Sequence, residues 1–253
     1  MFYSVETSMY TPQDRNQIRS AILDRAAADA RLSGVAITGS AAGGREDEWS
    51  DIDLAFGVRA AGELGQALAD WTEYLYAAHG ALHHVDVQAG AWTYRVFLLA
   101  NALQVDLAFV RAEEFRAMGP DFRLVSGEAG AAGAMPEPGV GYLIGFGWLY
   151  ALHARSSIGR GKVWQAEYMI SGVRDTALSL ACLRHGVPAM LGRGLDQLPE
   201  EVAGPFAESL VRSVEVAELT RAFGAAVRLL MAEIRMADGE VGARVEGVMM
   251  GMI

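Results

Sequence analysis

The chain predicts an α+β fold, with a strand-bearing first half and a helical second half. Short apolar runs of strand length crowd into residues 33–110: "GVAITGS", "DIDLAFGV", "HHVDVQ", "YRVFLLA" and "LQVDLAFV". A Gly-, Ala- and Pro-rich stretch, "SGEAGAAGAMPEPGVG" (126–141), then interrupts the pattern and reads as a linker or mobile loop. Beyond it no clear strand signal remains. The expectation is an α+β domain at about 1–125 and a helical domain at about 138–253.

The elements follow in order. "TPQDRNQIRSAILDRAAADARL" reads as a helix, with Thr11 or Asp14 as cap and Ile18, Ile22 and Leu23 as its stripe. "GVAITGS" is a strand ending in Gly-Ser, and "AAGGREDEWS" a polar connection. "DIDLAFGV" is a strand, and "AGELGQALADWTEYLYAAHG" an amphipathic helix stopped at Gly80. "YRVFLLA" and "LQVDLAFV", joined through Asn101, read as a hairpin. In the second half "YLIGFGWLYALHARS", "KVWQAEYMISGVRDTALSLACLRHG" and "PFAESLVRSVEVAELTRAFGAAVRLLMAEIRMADG" read as helices, the last broken or kinked, with a further helix in the tail. The first of these is expected to be buried.

Composition narrows the function. At 253 residues and 52% hydrophobic the chain can build a substantial core. A net charge of −10 suits a cationic small molecule better than a nucleic acid, whose binders usually carry a basic face. One cysteine, Cys182, excludes an intramolecular disulfide and fits a reducing, cytoplasmic compartment. It reads as a small apolar residue inside a helix. The N-terminus "MFYSVETSMYTPQDRNQ" lacks the pattern of a signal peptide, and no apolar run is long enough for a membrane span. His83, His84, His153 and His185 show no metal-ligand spacing, and Trp148 and Trp164 read as mostly core.

The chemistry is carried by aspartates inside strands. Asp-Leu-Ala-Phe occurs twice, at Asp53–Phe56 and Asp106–Phe109. Burying an unpaired carboxylate is costly, so two of them in apolar runs need a reason. Alternation puts Asp51, Asp53 and Ala55 on one strand face, opposite Ile52, Leu54 and Phe56. It likewise puts Asp106 and Ala108 opposite Val105, Leu107 and Phe109. If the strands are neighbours, three carboxylates converge over a patch left open by alanines. Carboxylate oxygens suit Mg²⁺, which completes its shell with water and substrate phosphates. Two such ions could orient a nucleoside triphosphate for in-line attack. Upstream, Gly39 lets backbone approach a phosphate, and Ser40 adds a hydroxyl at the start of a short helix.

Gly-Ser ending a strand, ten intervening residues, Asp-x-Asp on the next strand and a third Asp on a later one form a specific pattern. It resembles the nucleotidyltransferase superfamily that shares its catalytic core with DNA polymerase β. The resemblance covers residues 33–110. The helical second half makes the layout similar to the small bacterial enzymes that adenylylate aminoglycosides and lincosamides. It implies a polymerase β-like domain with a mixed sheet, followed by a helical substrate-binding domain. It further implies Asp51, Asp53 and Asp106 as catalytic metal ligands for two Mg²⁺ ions. ATP would be the substrate, with its phosphates on Gly39, Ser40 and Ser50, and a hydroxyl-bearing small molecule the acceptor.

Other candidates stay open. Asp86, in "HHVDVQ", could be the third ligand instead of Asp106, or a base for the acceptor hydroxyl. Lys162 is the only lysine in the chain and sits near Arg155 and Arg160. It reads either as a triphosphate contact or as a solvated loop residue. Glu167, with Ser171 and Arg174 on the same helical face, reads either as a base or as part of a surface network. A protein or RNA acceptor, of toxin–antitoxin type, and a non-catalytic nucleotide-binding module are the competing functions.

Overall fold

The computed structural model describes residues 9–134 and 137–253. The N-terminal stretch read for a leader lies in part outside the described residues, as do Met135 and Pro136 of the linker. The chain divides into two compact units, Met1–Met135 and Pro136–Ile253.

The first unit is a six-stranded mixed sheet with helices. In chain order its elements are α1 (Pro12–Ala28), β1 (Leu32–Thr38), α2 (Gly39–Ala42), β2 (Ile52–Val58), α3 (Leu64–His79), β3 (Ala81–Ala89), β4 (Trp92–Leu99), β5 (Gln104–Arg111) and β6 (Phe122–Gly127). The strand order is β3-β4-β5-β2-β1-β6. Only β2 and β5 pair in parallel; their neighbours run antiparallel.

Local chemistry explains the helix ends. Thr11 and Asp14 form a reciprocal capping box at the start of α1, an arrangement usually worth about 1 kcal/mol. α3 ends where Gly80 adopts the left-handed conformation, φ 67°. On α3, Ala67, Trp71 and Leu75 are buried at four-residue spacing. They pack with Ile22 of α1 against Ile52, Leu54 and Phe56 of β2 and Leu107 and Phe109 of β5. The apolar side of both Asp-Leu-Ala-Phe strands is therefore the back of the sheet, under α1 and α3. A smaller cluster, Ala36, Ala55, Ala108, Val110, Trp92 and Phe115, occupies the front.

β6 departs from the sequence expectation, which began the linker at Ser126. The strand is short and on a sheet edge, with Arg123 to Gly127 all exposed and only Phe122 packed on the front cluster, so its apolar pattern is too brief to stand out.

The second unit is helical: α4 (Val140–Gly159), α5 (Val163–His185), α6 (Glu200–Ala203), α7 (Val216–Ala237) and α8 (Gly239–Met250). The segment expected to be broken is short 3₁₀ helix over Gly204–Ser209, then extended chain, then α7. Glycines let the long helices close up. Gly147 of α4 faces Leu230 of α7, and Gly172 of α5 faces the Tyr150 ring of α4. Cys182 is buried, as expected of a small apolar residue. α4 is not the buried helix its composition suggests. Its buried side is Leu143, Ile144, Gly147, Ala151 and Ala154, while Tyr142, Leu149 and Leu152 are exposed. Trp148 is 38% and Trp164 75% exposed, so neither is core. No helix among the described residues is long and apolar enough to cross a membrane.

Candidate functional site

Strand pairing orders the front face into rungs. Asp53 and Asp106 are register partners on the parallel pair β2–β5, so their Cα atoms are about 4.8 Å apart by strand spacing. Asp106 pairs in turn with Val96 of β4, and Val96 with Val85 of β3. One rung toward the strand starts lie Gln104, Leu98 and His83. There Gln104 Nε2 donates to Oδ2 of Asp51 at 3.0 Å. One rung the other way lie Ala55, Ala108, Tyr94 and Val87, with Ala36 of β1 beside Ala55. The carboxylates thus stand over a floor of alanines.

Gly39 closes the other side. It follows β1 directly and has φ +63°, a left-handed conformation that side chains disfavour. A Cβ built there would fall on the carboxylate of Asp53. The sequence assigned Gly39's freedom to a phosphate; the first thing that needs it is Asp53. Ser40 follows at the second residue of α2, and its carbonyl accepts from the Arg45 amide at 2.9 Å.

The polar connection between β1 and β2 is firmly held. Arg15, 4% exposed on α1, donates through one terminal nitrogen to the carbonyls of Asp47 (2.6 Å) and Ser50 (3.0 Å). Its Nε lies 3.1 Å from Glu46, and Arg19 donates to Glu46 at 2.5 Å. Arg45 pairs with Asp121 at 2.6 Å. The Ser50 hydroxyl donates to Asp47 at 2.9 Å and accepts the Asp47 amide, so it serves the loop. The Ser50 hydrogen bond and the Trp49 amide hold the Asp47 carboxyl below its ordinary range. Arg15 and Gln104 are the site-building residues that sequence reading missed. An arginine inside the apolar stripe of a capped helix was the available signal for the first.

Asp106 carries the electrostatic strain. Burial, and secondly the negative charge of Asp51, push its carboxyl up to about 6. Its Oδ1 is buried without a hydrogen-bond partner. Such an orphaned oxygen, on a residue that shares its rung with Asp53, fits a hard divalent cation in donor type. Among the described residues no group of three or more His, Cys, Asp or Glu side chains is arranged to hold a metal ion as it stands. The side chain of Asp51 is engaged by Gln104. Mg²⁺ needs only one or two carboxylates alongside water and phosphate oxygens, so the Asp53–Asp106 pair remains a fitting half-shell.

Asp86 is ruled out as a member of this group. It pairs with Arg95, and Arg95 with Leu107, which puts both on the back face. There Arg95 grips Asp86 bidentately at 2.7 and 2.6 Å and reaches Thr72 of α3 at 2.7 Å. That pairing holds the Asp86 carboxyl below its ordinary range, against the opposing effect of burial.

In the second unit, Lys162 is exposed at the N-cap of α5, after Gly161 at φ +67°. Glu167 accepts from the Ser171 hydroxyl at 2.9 Å, and Arg174 pairs with its neighbour Asp175 at 2.8 Å. A groove of about 280 Å³ between α4 and α5 is lined by Tyr150, Tyr168, Ser171 and Asp175, among others.

No family model matches the chain, and no curated protein matches it. Among solved structures, the chain is similar to the crystal structure of an aminoglycoside 6-adenyltransferase from Bacillus subtilis. That similarity covers 94% of this chain and 98% of the other, at 10% identity and a TM-score of 0.39. At that score and identity the likeness has no functional weight, and the reading of the site stands on its residues.

Proposed function

We propose that the chain is a nucleotidyltransferase that moves a nucleoside monophosphate, AMP from ATP, to a hydroxyl of a small molecule and releases pyrophosphate. The observation that supports it most is the Asp53–Asp106 rung, with one carboxylate oxygen buried and unpartnered. A carboxylate whose burial opposes folding is expected at a site that uses it. Asp53 and Asp106, with Asp51, are the residues that would hold two Mg²⁺ ions, which when bound supply charge neutralisation to the phosphates. Gly39 and Ser40 would support the β- and γ-phosphates, with Ser50 contributing through the loop that its hydroxyl holds. Lys162 would add a compact positive charge to the triphosphate. Unit one would act as the catalytic domain, and unit two would hold the part of the acceptor away from the attacking hydroxyl.

The net charge of −10 favours an acceptor that is cationic overall, such as an aminoglycoside-like antibiotic, and a cytoplasmic setting for its modification. The same charge weighs against RNA. A non-catalytic module has no use for the cost of burying Asp106. The test is a screen of triphosphates and candidate acceptors for Mg²⁺-dependent pyrophosphate release, in which Asp53→Asn should abolish release without unfolding the chain. Release unchanged in Asp53→Asn would overturn the assignment.

A further inference from the structure

We propose that the acceptor docks, beside the reacting phosphate, on the apolar shelf formed by His83, Val85, Val96 and Leu98, and that it presents an uncharged, apolar flank there. The inference rests on the transferase reading and adds the chemistry of the acceptor to it.

The Gly39–Ser40 turn follows β1, on one side of the carboxylate pair, while β4 and β3 lie on the other. In an in-line displacement the attacking oxygen stands opposite the leaving group. With pyrophosphate toward the turn, the attacking hydroxyl comes from the β4–β3 side. Val96 and Val85 extend the rung of Asp53 and Asp106 in that direction, with Leu98 and His83 alongside.

The surface there is unusual for a sheet edge. Edge strands are commonly blunted by charge, yet the front of β3 carries His83, Val85 and Val87. Val85 is 54% and Leu98 49% exposed. The charged pair of this hairpin, Asp86 and Arg95, is turned to the back. A recess of about 170 Å³ along this β3–β4 edge is lined by Val85, Val96, Phe97, Leu98, His83, His84 and Gln104, and no carboxylate lines it. That is below the roughly 300 Å³ of a pocket that encloses a whole drug-sized ligand, so it seats a fragment of the acceptor. The carboxylates that border it are already committed, Asp51 to Gln104 and Asp106 to the metal–phosphate rung, so an ammonium group placed there would find no counter-charge of its own. Contiguous exposed apolar residues running into a reactive centre mark a binding surface. Ammonium groups elsewhere on the acceptor would lie away from the shelf.

The probes are methyl β-D-glucoside and hexyl β-D-glucoside, neutral hydroxyl compounds that differ only in their apolar flank. Binding to the full chain is measured by calorimetry without nucleotide or metal. The hexyl compound should bind at least tenfold more tightly, since its extra methylenes leave water. Val85→Asp and Leu98→Asp, at half-exposed positions that tolerate charge, should each remove that preference while keeping the wild-type unfolding temperature. Equal affinity for the two glucosides, or a preference unchanged in both variants, would overturn the proposal. So would a concentration-dependent dimer dissolved by Val85→Asp with no glucoside binding, which would give the face to a second copy of the chain. Mg²⁺-dependent ATP binding, followed on the same samples, keeps failure of the shelf distinguishable from failure of the transferase reading.

Discussion

The backbone of Gly39 and the carboxylate of Asp53 share one space: the position a Cβ would take on Gly39 is held by Asp53. Two motifs separated by the β1–β2 connection are thereby locked together. Gly39→Ala should push the carboxylate off its rung and strain a backbone at φ +63°. We expect loss of stability of about 1–3 kcal/mol, and a larger fractional loss of transfer than the stability change explains. Ser40→Ala, which leaves the backbone alone, should unfold like the wild type. Thermal unfolding beside pyrophosphate release checks both.

Asp106 should trade stability for function. Its folded pKa of about 6 lies above the roughly 3.9 of an unfolded aspartate. Between those values the folded state holds the extra proton, so stability falls as pH rises through the window and stays low above it. In chelator, Asp106→Asn should therefore be more stable than wild type by about 1–3 kcal/mol at pH 7–8. The difference should close below about pH 4, where the unfolded aspartate is protonated as well. Denaturant unfolding at both pH values measures it; a less stable variant at pH 8 would contradict the assigned cause.

Phe56 is fully buried behind the carboxylates, with ring centroids 4.9 Å from Trp71 and 5.1 Å from Phe109. Phe56→Ala should cost about 3–5 kcal/mol through the cavity it leaves. Urea unfolding with an unchanged slope would show the loss to be stability alone.

Lys162→Ala and Lys162→Arg should both weaken nucleotide binding if the lysine meets the triphosphate, because a planar fork cannot stand in for a point charge. Titration with ATP and Mg²⁺ decides it. Unchanged affinity in both variants returns Lys162 to a solvated loop.

Much of the front face was legible because strand alternation is strict: once Asp53 and Asp106 sat in apolar runs, their opposite faces had to be Leu54 and Leu107. What stayed illegible depends on partners distant in sequence. Asp86 looked equivalent to Asp106 by flanking residues, and only the β3–β4 register with Arg95 sends it to the back. β6 offers only the short alternation of Phe122 and Leu124 before the glycine-rich run, too few residues to announce a strand. Trp148 and Trp164 read as core from size and apolarity, which say nothing about which side of a helix meets a neighbour, and both are exposed. Arg15 acts through the carbonyls of Asp47 and Ser50, and a carbonyl has no sequence signature.

Asp53 and Asp106 are proposed above to form one half of a metal–triphosphate site. Calorimetric titration of ATP into the chain, with and without Mg²⁺, tests it without knowledge of the acceptor. Mg²⁺-dependent binding to the wild type is expected, with at least a tenfold loss in Asp53→Asn and in Asp106→Asn, both still folded. Binding of ATP that ignores Mg²⁺ and both substitutions, or no binding of any triphosphate to the wild type, would contradict it.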